Sequence, residues 1–171
     1  LQKGEVPADE RKKLAQKAYQ HTATYDTAIS QYLRDDAEGL PDDMTIALKK
    51  QYDLRYGENS HQKAVFYEEV VGGGAEKTGI ISAEQLWGKA LSFNNILDAD
   101  AAWSTATDYP DPTVSVVKHT NSCGLASHPV LVEAYKRAYA GDSVSAFGGI
   151  CAINRKVDLA TSEEIYKNFY E

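Results

Sequence analysis

Apolar residues in the first forty positions follow a helical beat: Leu14, Ala18, Tyr25, Ile29 and Tyr32 are spaced by three, four or seven residues, which puts them on one helix face. The spacing predicts one or two helices over 8–36, with Thr22 or Thr24 able to cap a break and Glu38, Gly39, Leu40 and Pro41 supplying the stop. After this the beat changes. Residues 45–54 alternate in part and read as a strand, a second strand is expected at 64–67, and the glycine run 72–74 reads as a turn. Ile96, Ala99 and Trp103 then restore helical spacing as far as Thr107, with Asn94 or Asn95 as the expected cap. The β-branched run 113–117, bounded by Pro112 and the polar cluster 119–122, reads as a short buried strand of the parallel-sheet type. A helix over 129–140, a strand over 147–153 and a helix over 159–170 complete an alternation of strands and helices. The predicted fold class is α/β, with leading helices and a boundary near Asp42.

Composition narrows the function classes. The 171 residues carry 18 Lys and Arg against 25 Asp and Glu, a net charge of −7, with no basic stripe to neutralise a phosphate backbone, so nucleic acid is not the expected partner. Hydrophobic residues at 43% and charged residues at 25% exclude a disordered or fibrous chain. No apolar run approaches the roughly 18 residues a membrane helix needs, and the first residues do not read as a signal peptide. Two cysteines, Cys123 and Cys151, make no disulfide framework, and the compartment they imply is a reducing cytosol. With Leu1 first and Met44 the only methionine, the chain reads as a piece of a longer polypeptide.

The chemistry-bearing residues cluster at predicted strand ends, where ligands bind in open α/β sheets. Lys118-His119 places an ammonium beside an imidazole, a cation for a developing oxyanion and a base that works near neutral pH; a solvated turn is the commoner use of such a pair. Arg55 beside Tyr56 offers forked donors suited to a phosphate, or a surface ion pair with Glu58. Phe147, followed by Gly148 and Gly149, can lay its ring on a flat heterocycle or simply end a core segment. Asn94, Asn95 and Asp98 read first as a helix start. A zinc centre of the deaminase type requires His-x-Glu and Pro-Cys-x-x-Cys; here Thr120-Asn121 follows His119 and Ala126 stands where a second cysteine would, so no metal site is expected.

Four blocks in order resemble one family. They are Leu54 through Gln62 (LRYGENSHQ), Gly88 through Asn95 (GKALSFNN) leading to Asp98, Val117 through Gly124 (VKHTNSCG), and Ser145 through Gly149 (SAFGG) with Asn154. The family is the bifunctional purine-biosynthesis enzyme AICAR transformylase/IMP cyclohydrolase, and His21 through Ile29 is similar to the end of its cyclohydrolase domain. The resemblance implies that 1–42 is that helical end with its linker, and that 43–171 is the first transformylase subdomain, akin to cytidine deaminase without its zinc. It implies formyl transfer from 10-formyltetrahydrofolate to AICAR, then closure to IMP, in a cytoplasmic homodimer that needs no metal for the transfer. By matching motif, His119 is the base and Lys118 the cation. Arg55 and Tyr56 bind AICAR, Phe147 and Gly148 line its base, and Asn95 lies nearby. Ser60 and Ser122 stand where the family commonly has proline, which is expected to loosen two loops. The competing reading is a non-catalytic scaffold or degenerate relative.

Overall fold

The computed structural model describes residues 4–34, 39, 41–70 and 79–171; the expected glycine turn at 72–74 and the stop residues Glu38 and Leu40 lie outside them. By compactness the described residues fall into two units, one holding those up to Tyr52 together with 66–70, the other 53–65 with 79–171. The first unit thus extends past the boundary expected near Asp42 between the leading helices and the sheet, taking in residues 43–52 and 66–70 as well.

In the first unit, α1 runs unbroken over Ala8–Leu33. Asp9 and Glu10 in its first turn favour the positive end of the helix dipole. Thr22 and Thr24 cap no break: their hydroxyls donate back to the carbonyls of Ala18, Tyr19 and Gln20 inside the continuous helix. The side of α1 that is covered carries Thr24, Thr27, Ala28 and Gln31, while Leu14, Tyr25, Ile29 and Tyr32 are exposed. The apolar stripe read from the sequence is therefore the solvent side. Strands β1 (Leu48–Asp53) and β2 (Val65–Glu69) pair in a two-stranded sheet.

The second unit is a three-layer sandwich. Its sheet has the order β4-β3-β5, from β3 (Thr113–Lys118), β4 (Asn121–Ser127) and β5 (Ile150–Ile153). Both pairings of β3 are antiparallel, not the parallel arrangement that its buried β-branched run implied. Burial on both faces produces the same sequence run in either case. One face of β3, Val114 and Val116, packs with Leu131, Ala134, Tyr135 and Ala138 of α3 (Leu131–Gly141). The opposite face meets α2 (Phe93–Thr107), whose fully buried Ala102 and Ala106 let the helix lie close to the strand. β4 falls where the sequence reading saw only a bounding polar cluster. Its Gly124 is dictated by packing, because a Cβ there would lie 1.8 Å from the Ala138 carbonyl oxygen of α3. Ser122, expected in a loop, is a strand residue opposite Val117 at a bulge in this ladder. The terminal helix α4 is shorter than expected, Leu159–Ile165, and the Asp158 side chain caps it by accepting from the Thr161 N–H. No helix among the described residues is long and apolar enough to cross a membrane.

Candidate active site

The start of α2 is the site's foundation. Ser92 rather than Asn94 or Asn95 is the cap, and Asn95 is the third residue of a capping box. The Asn95 N–H donates to Ser92 Oγ at 3.2 Å, while Asn95 Oδ1 accepts from the Ser92 N–H at 3.0 Å. The segment 55–56 is tied to the same place by Arg55 N–H to the Leu91 carbonyl and Phe93 N–H to the Tyr56 carbonyl, at 2.9 and 3.1 Å. The Arg55 guanidinium then donates to Asn95 Oδ1 at 3.3 Å and to the Tyr56 hydroxyl at 3.2 Å, with its carbon 4.9 Å from the Tyr56 ring centroid. The carboxylate it meets is Glu171, at 3.8 Å, not Glu58; Glu171 also accepts from Asn95 Nδ2 at 3.1 Å.

The second wall comes from the sheet. Because β3 and β5 are antiparallel, with Val117 opposite Ile150, the end of β3 and the residues entering β5 lie at the same edge. Lys118 and the Phe147-Gly148 turn are therefore neighbours, and Lys118 Nζ donates to the Phe147 carbonyl at 2.7 Å. An ammonium has three N–H groups, so two remain for other acceptors. Gly148 sits at φ 72°, its N–H donating to the Phe169 carbonyl at 2.9 Å, and the Phe147 and Phe169 rings lie 5.4 Å apart.

Between these walls lies a cavity of about 320 Å³, a volume in the range of small-molecule sites. Six of the seven residues singled out from the sequence line it: Tyr56, Asn95, Lys118, His119, Phe147 and Gly148. Arg55, the seventh, reaches the same wall through its bonds to Tyr56 and Asn95.

His119 and Thr120 form the two-residue turn of the β3–β4 hairpin, both with positive φ, 53° and 60°. Such turns favour Asn-Gly, and each non-glycine residue held there costs on the order of 1–3 kcal/mol. Asp98, on α2, meets that turn: its carboxylate accepts from the His119 N–H at 3.0 Å and the Thr120 N–H at 2.7 Å. Hydrogen bonds to a charged acceptor, worth roughly 1.5–3 kcal/mol each, are of the size needed to offset the strain. The sequence reading took Asp98 as part of a helix start and did not single out Phe169 or Glu171. The signal available for Asp98 was its spacing of three from Asn95, which puts both on one helix face.

Burial pushes up the thiol of Cys123, with Asp142 adding to it, and that of Cys151 to about 12, so both stay protonated at neutral pH. Among the described residues, no three His, Cys, Asp or Glu side chains are grouped to hold a metal ion.

Fold and cavity define a class: a small mixed α/β domain in which an imidazole and an ammonium line one cavity, with a guanidinium bonded to two of its wall residues. The chain matches the AICARFT/IMPCHase bienzyme family over residues 1–171 and belongs to it. It is 48% identical over 169 residues, 98% of this chain, to the bifunctional purine biosynthesis protein PurH of Bacillus cereus (strain B4264) and to that of Bacillus anthracis, covering 32% of each. It is 50% identical over 161 residues, 94% of this chain, to the protein of that name from Pediococcus pentosaceus, covering 31% of it. The chain thus spans about a third of the length of the curated relatives it matches.

Proposed function

We propose that this chain is the part of an AICAR transformylase/IMP cyclohydrolase that binds AICAR and supplies the base for formyl transfer. Residues 1–42 would be the helical end of the cyclohydrolase domain with its linker, and 43–171 the first transformylase subdomain, of cytidine deaminase type. The observation that carries the reading is the convergence of Tyr56, Asn95, Lys118, His119, Phe147 and Gly148 on one cavity, in a chain of this family.

The chemistry accounts for the residue types. The 5-amino group of AICAR is a weak nucleophile, because its lone pair is delocalised into the imidazole carboxamide. As its nitrogen bonds to the formyl carbon of 10-formyltetrahydrofolate, His119 takes the proton. The tetrahedral intermediate carries a negative oxygen, which the Lys118 ammonium stabilises. When the oxyanion re-forms the carbonyl and the carbon–N10 bond breaks, N10 keeps the electron pair and takes the proton that His119 held, which restores the base. Arg55 suits the ribonucleotide phosphate, with Tyr56 and Asn95 beside it, and Phe147 with Gly148 provides a flat apolar surface for the base. No metal enters this scheme. The working protein would be a cytoplasmic homodimer, and the 171-residue chain by itself would be silent.

Calorimetry with AICAR and steady-state formyl transfer on the intact polypeptide test this. Arg55→Ala should weaken AICAR binding at least tenfold, and His119→Ala should lower kcat by about 10²–10⁴. An intact protein that binds no AICAR would sink the reading in favour of a scaffold. Brisk formyl transfer by the 171-residue chain alone would refute only the claim that it is silent.

A further inference from the structure

A base is useful only if its ring is held where the proton leaves, and among the described residues no hydrogen bond holds the His119 ring itself. What is fixed is the backbone beneath it. We infer that Asp98 is a positioning residue, whose carboxylate holds the His119-Thr120 turn in its positive-φ shape and thereby keeps the imidazole on the cavity. The inference rests on the reading of His119 as the base.

Three observations carry it. The two oxygens of one carboxylate take the two consecutive N–H groups of the turn, at 3.0 and 2.7 Å, so the contact reads the turn's shape and not one atom of it. The turn carries a residue poorly suited to its conformation, since the β-branched Thr120 stands at φ 60°, next to His119 at φ 53°, where glycine and asparagine are at home. The carboxylate also belongs to α2, whose first turn carries Asn95 and is bonded to Arg55 and Tyr56, so it ties the His119 wall of the cavity to the opposite one. Loss of the carboxylate would free the turn to relax toward negative φ and swing the ring away from the cavity. An amide in its place is no substitute, because its NH₂ would confront an N–H.

The test is formyl-transfer kinetics on the intact polypeptide. Misplacing a catalytic group by about 1 Å can cost on the order of 10², so Asp98→Asn should lower kcat by about 30-fold or more while KM for AICAR stays within about threefold. Glycine adopts positive φ without help, so adding Thr120→Gly to Asp98→Asn should return kcat to within about fivefold of wild type. A carboxylate that touched substrate, or that merely supported the fold elsewhere, would not be replaced by a glycine in the turn. Wild-type kcat in Asp98→Asn, or a double variant no better than the single one, overturns the inference. If Asp98→Asn does not fold, the double variant decides: folded and active supports the role, whereas folded and inactive, or still unfolded, overturns it. His119→Ala separates this from the underlying reading. If that variant keeps wild-type kcat, the base assignment fails; if it is inactive while Asp98→Asn is normal, only the positioning role fails.

Discussion

Helices α1 and α3 carry the same kind of apolar stripe, and only α3 buries it. In α3, Leu131 and Tyr135 are 7% and 1% exposed, packed on β3; in α1, Leu14 and Tyr32 are 59% and 81% exposed. Periodicity marks a face able to be buried, but burial needs an opposing surface. The sheet of the second unit provides one on both sides, and the described part of the first unit provides α1 only a narrow cover along Thr24, Thr27, Ala28 and Gln31. One helix is therefore held by packing, while the other, which has Pro7 and no side-chain cap at its start, relies on its own residues for most of its stability.

The contrast can be broken most forcefully at Gly124. Gly124→Val drives a side chain into the α3 backbone at Ala138, and the sandwich should lose at least about 3 kcal/mol. Near-UV circular dichroism should collapse while part of the far-UV helical signal, that of α1, persists; a wild-type melting curve would mean that α3 does not approach β4 so closely. A smaller loss, about 1–2 kcal/mol, is expected from Ser92→Ala, which removes the cap of α2 and unseats Asn95. Chemical denaturation reads that loss, and on the proposed function AICAR binding should weaken with it. Smaller again is Ala18→Gly on exposed α1, about 0.5–1 kcal/mol. Hydrogen exchange should quicken in α1 and stay unchanged in β3 if the two helices are stabilised as differently as their burial implies.

The smallest effect is one of pH, at the turn leading into Phe147. The Asp142 carboxylate accepts from the Ser145 hydroxyl and from the Ser145 and Val144 N–H groups, and these bonds hold its pKa below the usual carboxylate value. A folded-state pKa lower than the unfolded one adds stability above about pH 4 that is lost as pH falls through the folded value. The melting temperature should therefore fall modestly from pH 5 to pH 3, and Asp142→Asn should flatten part of that fall.

The particular residues show why some features were legible in the sequence. The motifs around Arg55, Asn95, Lys118-His119 and Phe147-Gly148 could be read because their chemistry lies in adjacent residues. The buried character of β3 was legible because five consecutive buried positions leave an uninterrupted run of uncharged, mostly β-branched residues. Strand β4 was not, since its polar, glycine-bearing sequence carries no alternating apolar face, and its place is set by pairing with β3. Asp98 was missed because its partners are backbone N–H groups more than twenty positions away, which leave no mark on its neighbours.

The sequence by itself shows the motifs around Arg55, Asn95, Lys118-His119 and Phe147-Gly148, the helical segments, and a composition with neither a basic stripe nor an apolar run of membrane-helix length. Three further things exist only once the chain is folded: that the sheet runs antiparallel, that the start of β5 and the end of β3 therefore share an edge, and that a carboxylate from α2 meets the His119-Thr120 turn. The reason is physical. Composition and period are local properties of a chain, whereas strand direction, the burial of a stripe and the partner of a strained turn depend on surfaces brought together from distant positions, whose free energy exists only once they are in contact.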